Sequence, residues 1–279
     1  MKIGVLIQLD EMSQLDEKIA RVANEGFDNC QLLIWNTSLY TEECAKIISE
    51  KFKEKNVTIS VFWCGWDGPR RWDPYDGPLT LGLVPPEYRE MRIKNLCDGA
   101  DFAKFMGVDK VATHMGFIPE NPNDPEFIPL CDAIRVVSEH LKKNGQYLLF
   151  ETGQETPITM LRCMEVVGTD NLGVNYDTAN LILYGKANPV DGLDILGSRV
   201  MNVHAKDGLY PTSGGRDEGK ETPIGQGKVD FETVISRLYN EFHYDGYITI
   251  EREIGGEQQL KDIRESRVYL QNIIDRVCK

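Results

Sequence analysis

Short apolar runs and amphipathic stretches alternate along this chain from end to end, and that alternation leaves few folds open to it. Strand-like runs lie at residues 3–7, 30–34, 57–62, 110–113, 147–150, 172–176, 200–203 and 247–250. Each has the length and the β-branched or aromatic content of a buried strand. Between them, Ile93, Leu96, Cys97 and Ala100 repeat at i, i+3, i+4, i+7 and form one apolar stripe. Leu130, Ile134, Val137 and Leu141 form another, which Gly145 ends, and Leu270, Ile273, Ile274 and Val277 mark the last helix. Strands alternating with helices pair in parallel, with the helices covering the sheet. Eight strands close a barrel, so the predicted fold class is α/β, a single (β/α)8 TIM barrel. An open doubly wound sheet is the alternative. No Gly-x-Gly-x-x-Gly follows the first strand, so its dinucleotide-binding version lacks a signature.

A chain of 279 residues suits one barrel domain, and residues 1–279 are assigned to it. Two connections are unusually long. The segment 64–86 is too rich in Gly and Pro for a regular element, and 208–228 is polar and Gly-rich. Both follow strands, which puts both at the C-terminal mouth of a barrel, where long loops serve as lids or binding loops. The formal net charge of -13 opposes general binding to nucleic acid or anionic membrane. The first eight residues hold too short an apolar stretch for a signal-peptide core or a membrane span. Seven scattered cysteines without a Cys-x-x-Cys pair read as reduced thiols in a cytoplasmic protein. Of these, Cys64 directly follows a strand and is the one to place against a site.

The ends of four runs carry the chemistry. Glu151, Asp177, His204 and Glu251 each close an apolar run in the second half of the chain. A parallel barrel gathers such ends at one mouth, where three carboxylates and an imidazole would bind one divalent cation. Manganese comes first, with magnesium, cobalt and zinc as alternatives. Four protein ligands leave positions open for a substrate carbonyl and its neighbouring hydroxyl. The cation would then polarise the carbonyl and stabilise the enediolate left when the adjacent carbon loses its proton.

The ordered set Glu, Asp, His-x-Lys-Asp, Glu resembles the xylose isomerase-like barrel superfamily. Within it the resemblance is to the sugar (phosphate) isomerase/epimerase branch, which includes D-tagatose 3-epimerase-like and hydroxypyruvate isomerase-like enzymes. The segments that carry the resemblance are 150–155, 175–180, 203–207, 223–231 and 250–251, and together they span the chain. The resemblance implies a metal-dependent enzyme that isomerises or epimerises a keto sugar or sugar phosphate. It implies that Glu151, Asp177, His204 and Glu251 hold the metal. It also implies that Glu151 and Glu251 act as the acid/base pair on opposite faces of the substrate. Relatives of this kind commonly form dimers or tetramers, so a homo-oligomer is open to this chain.

Other residues are assigned to the substrate. His114 ends the fourth run and points at the same mouth. Glu155 resembles the family's second acid after the fifth strand. Trp35, Trp63 and Trp66 cluster with Trp72 and Tyr75 at or after strand ends, where flat rings suit the apolar face of a sugar. Asp207 belongs to the His-x-Lys-Asp motif and is placed among the substrate contacts or behind a ligand. Lys206 is expected to point away from the site. Arg70 and Arg71 would meet a phosphate if the substrate carried one. His140 and His243 are expected to have no role.

Three rival functions follow from the same residues. A lyase or dehydratase, inosose dehydratase-like or eliminating from a 3-keto-glycoside, would start with the same proton abstraction and then expel a leaving group. A catalytically inactive sugar-binding barrel is disfavoured because all four ligand positions are filled. The superfamily's apurinic-site endonucleases use three zinc ions. Four histidines in all, with Asn180 where that pattern has one, cannot populate such a site.

Overall fold

The structure, a computed structural model, describes residues 1–278. Eight parallel strands form a closed barrel. They are β1 (Lys2–Gln8), β2 (Asn29–Ile34), β3 (Thr58–Cys64), β4 (Lys110–Thr113), β5 (Tyr147–Glu151), β6 (Leu172–Asp177), β7 (Val200–Ala205) and, after an inserted pair, β10 (Tyr247–Ile250). Each strand pairs with its neighbours in sequence order, and β10 pairs β1 to close the ring. This is the predicted barrel, and every predicted run falls on a barrel strand, with only Val57 of the third run lying just before its strand.

The principal helices pack outside: α1 (Leu15–Asn24), α2 (Glu42–Glu54), α3 (Pro86–Met106), α4 (Phe127–Lys143), α5 (Pro157–Val167), α7 (Pro189–Leu196), α8 (Phe231–Asn240) and α9 (Gly256–Val277), while the short, buried α6 (Asn180–Leu183) follows β6 at the mouth. The main core fills the layer between sheet and helices. There Phe62, Phe102, Leu130, Ile134, Phe150 and Leu270 are fully or almost fully buried. A smaller cluster that includes Leu33, Val61, Ala112 and Leu149 lies apart from it. Side chains alternate across a strand, so one set faces the helices and the other the lumen.

The two long connections behave differently. In 64–86 the chain is irregular apart from a 3-10 turn, Gly77–Leu79. It is fastened beside β4 by Leu83 N donating to Met115 O at 2.9 Å. Gly82 sits there with φ +62, and a Cβ on it would come within 2.0 Å of the Met115 carbonyl oxygen, a place only glycine fills. The second connection, read as a polar loop, instead holds an antiparallel ribbon of β8 (Asp207–Leu209) and β9 (Lys220–Thr222). The loops meet: Tyr75 Oη donates to Gly214 O at 3.2 Å, and Arg216 pairs with Asp76 at 2.9 Å. Among the described residues no helix is long and apolar enough to cross a membrane.

Candidate active site

Four strand ends deliver their side chains to one point. Glu151 is the last residue of β5 and Asp177 of β6, His204 lies in β7, and Glu251 directly follows β10. Asp177 and His204 sit side by side in the β6–β7 register. The ladder continues past β10 through Glu251 N donating to Ala205 O at 3.1 Å. One ligand atom from each of the four lies within 4.8 Å of every other, and all four residues are buried. His204 Nδ1 is 3.0 Å from Glu151 Oε1, 3.0 Å from Glu251 Oε2 and 3.6 Å from Asp177 Oδ2.

The groups behind these four set their orientation. The far nitrogen of His204, Nε2, meets the Gln31 side-chain oxygen and lies 3.2 Å from the Asn175 side-chain amide, while Nδ1 faces the centre. Asp177 Oδ1 accepts from the amides of Ala179 (2.8 Å) and Asn180 (2.7 Å) at the start of α6. Thr152 accepts from Asp177 N and donates to Asp177 O, both at 2.8 Å, which fastens β5 to β6 at the mouth. Trp63 donates its indole N–H to Glu151 Oε2.

The residues fit a divalent cation. Asp177 Oδ2 and Glu251 Oε2 are buried and accept no hydrogen bond. A buried carboxylate oxygen without a donor is costly unless positive charge faces it. Here His204 Nδ1 and Lys206 Nζ stand 3.0 and 3.6 Å from Glu251 Oε2 and 3.6 and 4.0 Å from Asp177 Oδ2, and a cation held between the carboxylates would add to them. Ligand atoms around one cation stand at most roughly 4–5 Å apart, twice a metal–oxygen bond, and this cluster meets that span. Three carboxylates with one imidazole suit a hard or borderline ion. In the protein alone, burial pushes the Glu151 carboxyl up, but His114 and His204 outweigh it and hold it below the usual range. Burial likewise works against a charged His204, and the Glu251 and Glu151 carboxylates overcome it, raising the imidazole well above its ordinary value.

A cavity of 590 Å³ opens over the cluster, lined in part by Trp35, Trp63, Trp72, His114, Glu151 and Glu251. His114 Nε2 is 3.8 Å from Glu151 Oε1, its ring lies 5.7 Å from Trp63 and 5.2 Å from Trp72, and its Nδ1 has no partner. Other expected substrate contacts stand elsewhere. Trp66 is buried against Trp35 and Trp63 and does not line the cavity. Glu155 is buried away from the cavity lining, and burial pushes its carboxyl up to about 8. Asp207 gives both oxygens to the second loop: Oδ1 accepts from Gly208 (2.8 Å) and Val229 (3.1 Å), and Oδ2 from Gly225 and Gly227 (both 2.9 Å). Arg70 lies over the Trp35 ring at 4.2 Å. Cys64 packs toward Tyr40 and Asn95, and burial pushes its thiol up to about 12. His140 pairs with Asp101 at 2.8 Å on the outside of the barrel.

Lys206 overturns its expectation. It is buried, with Nζ 2.9 Å from Glu253, 3.2 Å from Asn180 Oδ1 and 3.6 Å from Glu251 Oε2. Strand alternation is the reason: Lys206 is two residues beyond His204, and i and i+2 share a face. Burial opposes its charge, but Glu251, Glu253 and Asp177 outweigh that and raise it well above the usual lysine value. Sequence reasoning also passed over Gln31, Gln154, Tyr184 and Glu218. For Gln31 the available signal was a polar residue inside an otherwise apolar strand run.

Comparison with known proteins follows the same outline. The xylose isomerase-like TIM barrel family model matches residues 19–273. A xylose isomerase domain protein from Planctomyces limnophilus superposes with a TM-score of 0.92 at 30% identity, over 99% of this chain and 98% of that one. The 3-keto-D-glucoside 4-epimerase of E. coli shares the fold alone, with a TM-score of 0.71 at 16% identity over 98% of this chain and 99% of the other. An inosose dehydratase of Lacticaseibacillus casei is 23% identical over 145 residues, 47% of this chain and 48% of the relative. The chain thus spans about half the length of the curated relatives it matches.

Proposed function

We propose, given that this chain belongs to the xylose isomerase-like TIM barrel family, that it is a divalent-metal-dependent isomerase or epimerase of a keto sugar. One observation carries the reading: four buried strand-end groups within 4.8 Å of one another, two of them presenting carboxylate oxygens with no donor. Glu151, Asp177, His204 and Glu251 would hold the ion, with manganese the first candidate and magnesium, cobalt or zinc the others. A divalent cation bound there supplies the positive charge that polarises the substrate carbonyl.

The protein's own groups do the rest. Glu151 and Glu251 remove and return the proton on the carbon beside the carbonyl. The Trp63 indole fixes Glu151 at Oε2. Trp35, Trp63 and Trp72 give the cavity a flat apolar side suited to a sugar ring, and His114, which lines the same cavity, would meet a substrate hydroxyl. The loops 64–86 and 208–228, joined through Tyr75 and Arg216, keep water from the reacting carbon. The seven cysteines are all free, which supports a reducing compartment such as the cytoplasm.

Elemental analysis of the purified protein, combined with a panel of keto sugars in heavy water, tests this. One divalent ion per chain and deuterium at the carbon beside the carbonyl are expected. A metal-loaded protein that exchanges no proton in any keto sugar would end the reading. Elimination of water is the second reading, favoured by the likeness to inosose dehydratase. It differs by product: loss of water in place of an inverted, deuterated centre.

A further inference from the structure

Beyond the four clustered groups, the cavity is lined by Gln154, Asn180, Tyr184, Glu218 and Glu253. Gln154 is buried, and neither atom of its amide makes a well-formed hydrogen bond. A buried amide costs free energy unless something pairs with it, and Gln154 is among the residues that line the cavity. Glu218 enters from the second long loop, and its neighbour fixes where. Gly219 N donates to Leu183 O at 2.8 Å, and a Cβ on Gly219 would lie 2.0 Å from Leu209 O. The loop is therefore zipped to the end of α6 at the point where Glu218 reaches inward.

The charge of this wall is one-sided. Glu218 and Glu253 line it together with Glu151 and Glu251. Two of the nearby cations, Lys206 and Arg252, are held by carboxylates. Lys206 is held by Glu253 and Asn180 and does not line the cavity. Arg252 pairs with Glu221 at 2.7 Å and with Asp262 at 2.8 Å. Arg70 rests on Trp35, and Arg71 is exposed outside the lining. Lys18 and Arg21 line the cavity from the outer helix α1, where Arg21 donates to Gln259 at 2.7 Å. A phosphate brought to the part of the wall that Glu218, Glu253, Glu151 and Glu251 line would face carboxyl groups.

We propose that Glu218 is a specificity-determining residue whose carboxyl group, with the Gln154 amide, binds hydroxyls of an uncharged polyhydroxy ketone remote from its reacting carbons and turns away the phosphate esters of the same sugars. This rests on the proposed function, which brings a carbonyl sugar to the cavity. Burial supports it by raising the Glu218 carboxyl to about 7, against Lys206, which lowers it, and with Glu253 and Glu221, which raise it; Tyr184 also lowers it through a hydrogen bond. At neutral pH a large fraction of Glu218 is a neutral acid, able to donate to a hydroxyl as well as accept from one.

The test reads binding, not turnover. Calorimetry on the manganese-loaded protein at pH 7 compares D-fructose, D-tagatose and L-ribulose with their terminal phosphate esters. At least one neutral sugar should bind, and its ester at least tenfold more weakly. Glu218→Ala should weaken the neutral sugar tenfold or more, while Glu218→Gln, which keeps a donor and an acceptor, should stay within about threefold of the unmutated protein. The proposal is overturned by an ester that binds as tightly as its parent, by no neutral sugar binding, or by unchanged affinity in a folded Glu218→Ala. The ester comparison needs only the unmutated protein, so it decides the matter even where the alanine variant fails to fold. Glu218-dependent binding without solvent exchange would remove the proposed function and leave this inference standing.

Discussion

Phe62 and Trp63 are neighbours on β3, and they serve opposite environments. Phe62 faces the helices and packs its ring 5.5 Å from Tyr40 and 5.3 Å from Phe102. Trp63 faces the other way and donates to Glu151. The same division runs around the barrel. The layer between sheet and helices holds the main apolar cluster. The buried polar residues of the barrel strands include Gln31, Asn175, Asn202 and Thr249, and Asn202 donates to Asn175 at 2.6 Å. The difference teaches that one set of strands does two jobs, because successive side chains point to opposite faces. The outer face holds the barrel together. The inner face, freed from that duty, orders polar groups below the mouth.

Four substitutions would break or sharpen that division. The largest effect is expected inside, at Glu251→Gln. Turnover should fall by about a thousandfold or more while thermal unfolding stays close to that of the unmutated protein. Near-normal activity in this variant would remove Glu251 from the acid/base pair. On the outer face, Phe62→Ala should do the reverse. It should lose about 3–5 kcal/mol of stability in a urea titration, yet bind metal normally where it remains folded. A large drop in metal affinity there would show that the two faces are not separate.

Glu155 marks the boundary by contrast with Glu151. Both are buried, but Glu151 has two histidines to lower it and Glu155 rises to about 8. A carboxyl raised in the folded state contributes stability that is full below about pH 4.5 and is lost as pH climbs through about 8. Glu155→Gln should therefore gain roughly 2–4 kcal/mol over the unmutated protein at pH 9, and little at pH 4. Parallel stability curves for the two proteins across that range would refute it. The smallest effect is expected at Gln31→Leu, which removes the side-chain oxygen that meets His204 Nε2. Competition with a chelator should read a 10–100-fold loss of metal affinity; equal affinity would mean that the imidazole is held by its other neighbours.

Much of this was legible beforehand because strands and helices are local. Eight apolar runs of strand length lie where eight barrel strands stand, and the order of Glu151, Asp177, His204 and Glu251 brings their ligand atoms together. Lys206 was legible too, since a residue two beyond His204 shares its face. Its burial between Glu251 and Glu253 was not, because Glu253 follows a strand far along the chain. Trp66 packs under Trp35, and Asp207 turns to amides up to 22 residues away. Neither direction has a local signature, because loop side chains take their partners from whatever the closed barrel brings beside them.

The order of the residues by itself determined the alternation of elements and the eight strands of the barrel, because hydrophobic period is written in neighbours three, four or two positions apart. Only the tertiary structure decided which carboxylates keep a donor and which are left bare, and that the two loops meet over the mouth. It also decided that a glutamate from the second loop lines the cavity. Those outcomes depend on closing the ring, which sets groups from distant segments a few ångströms apart and out of reach of water.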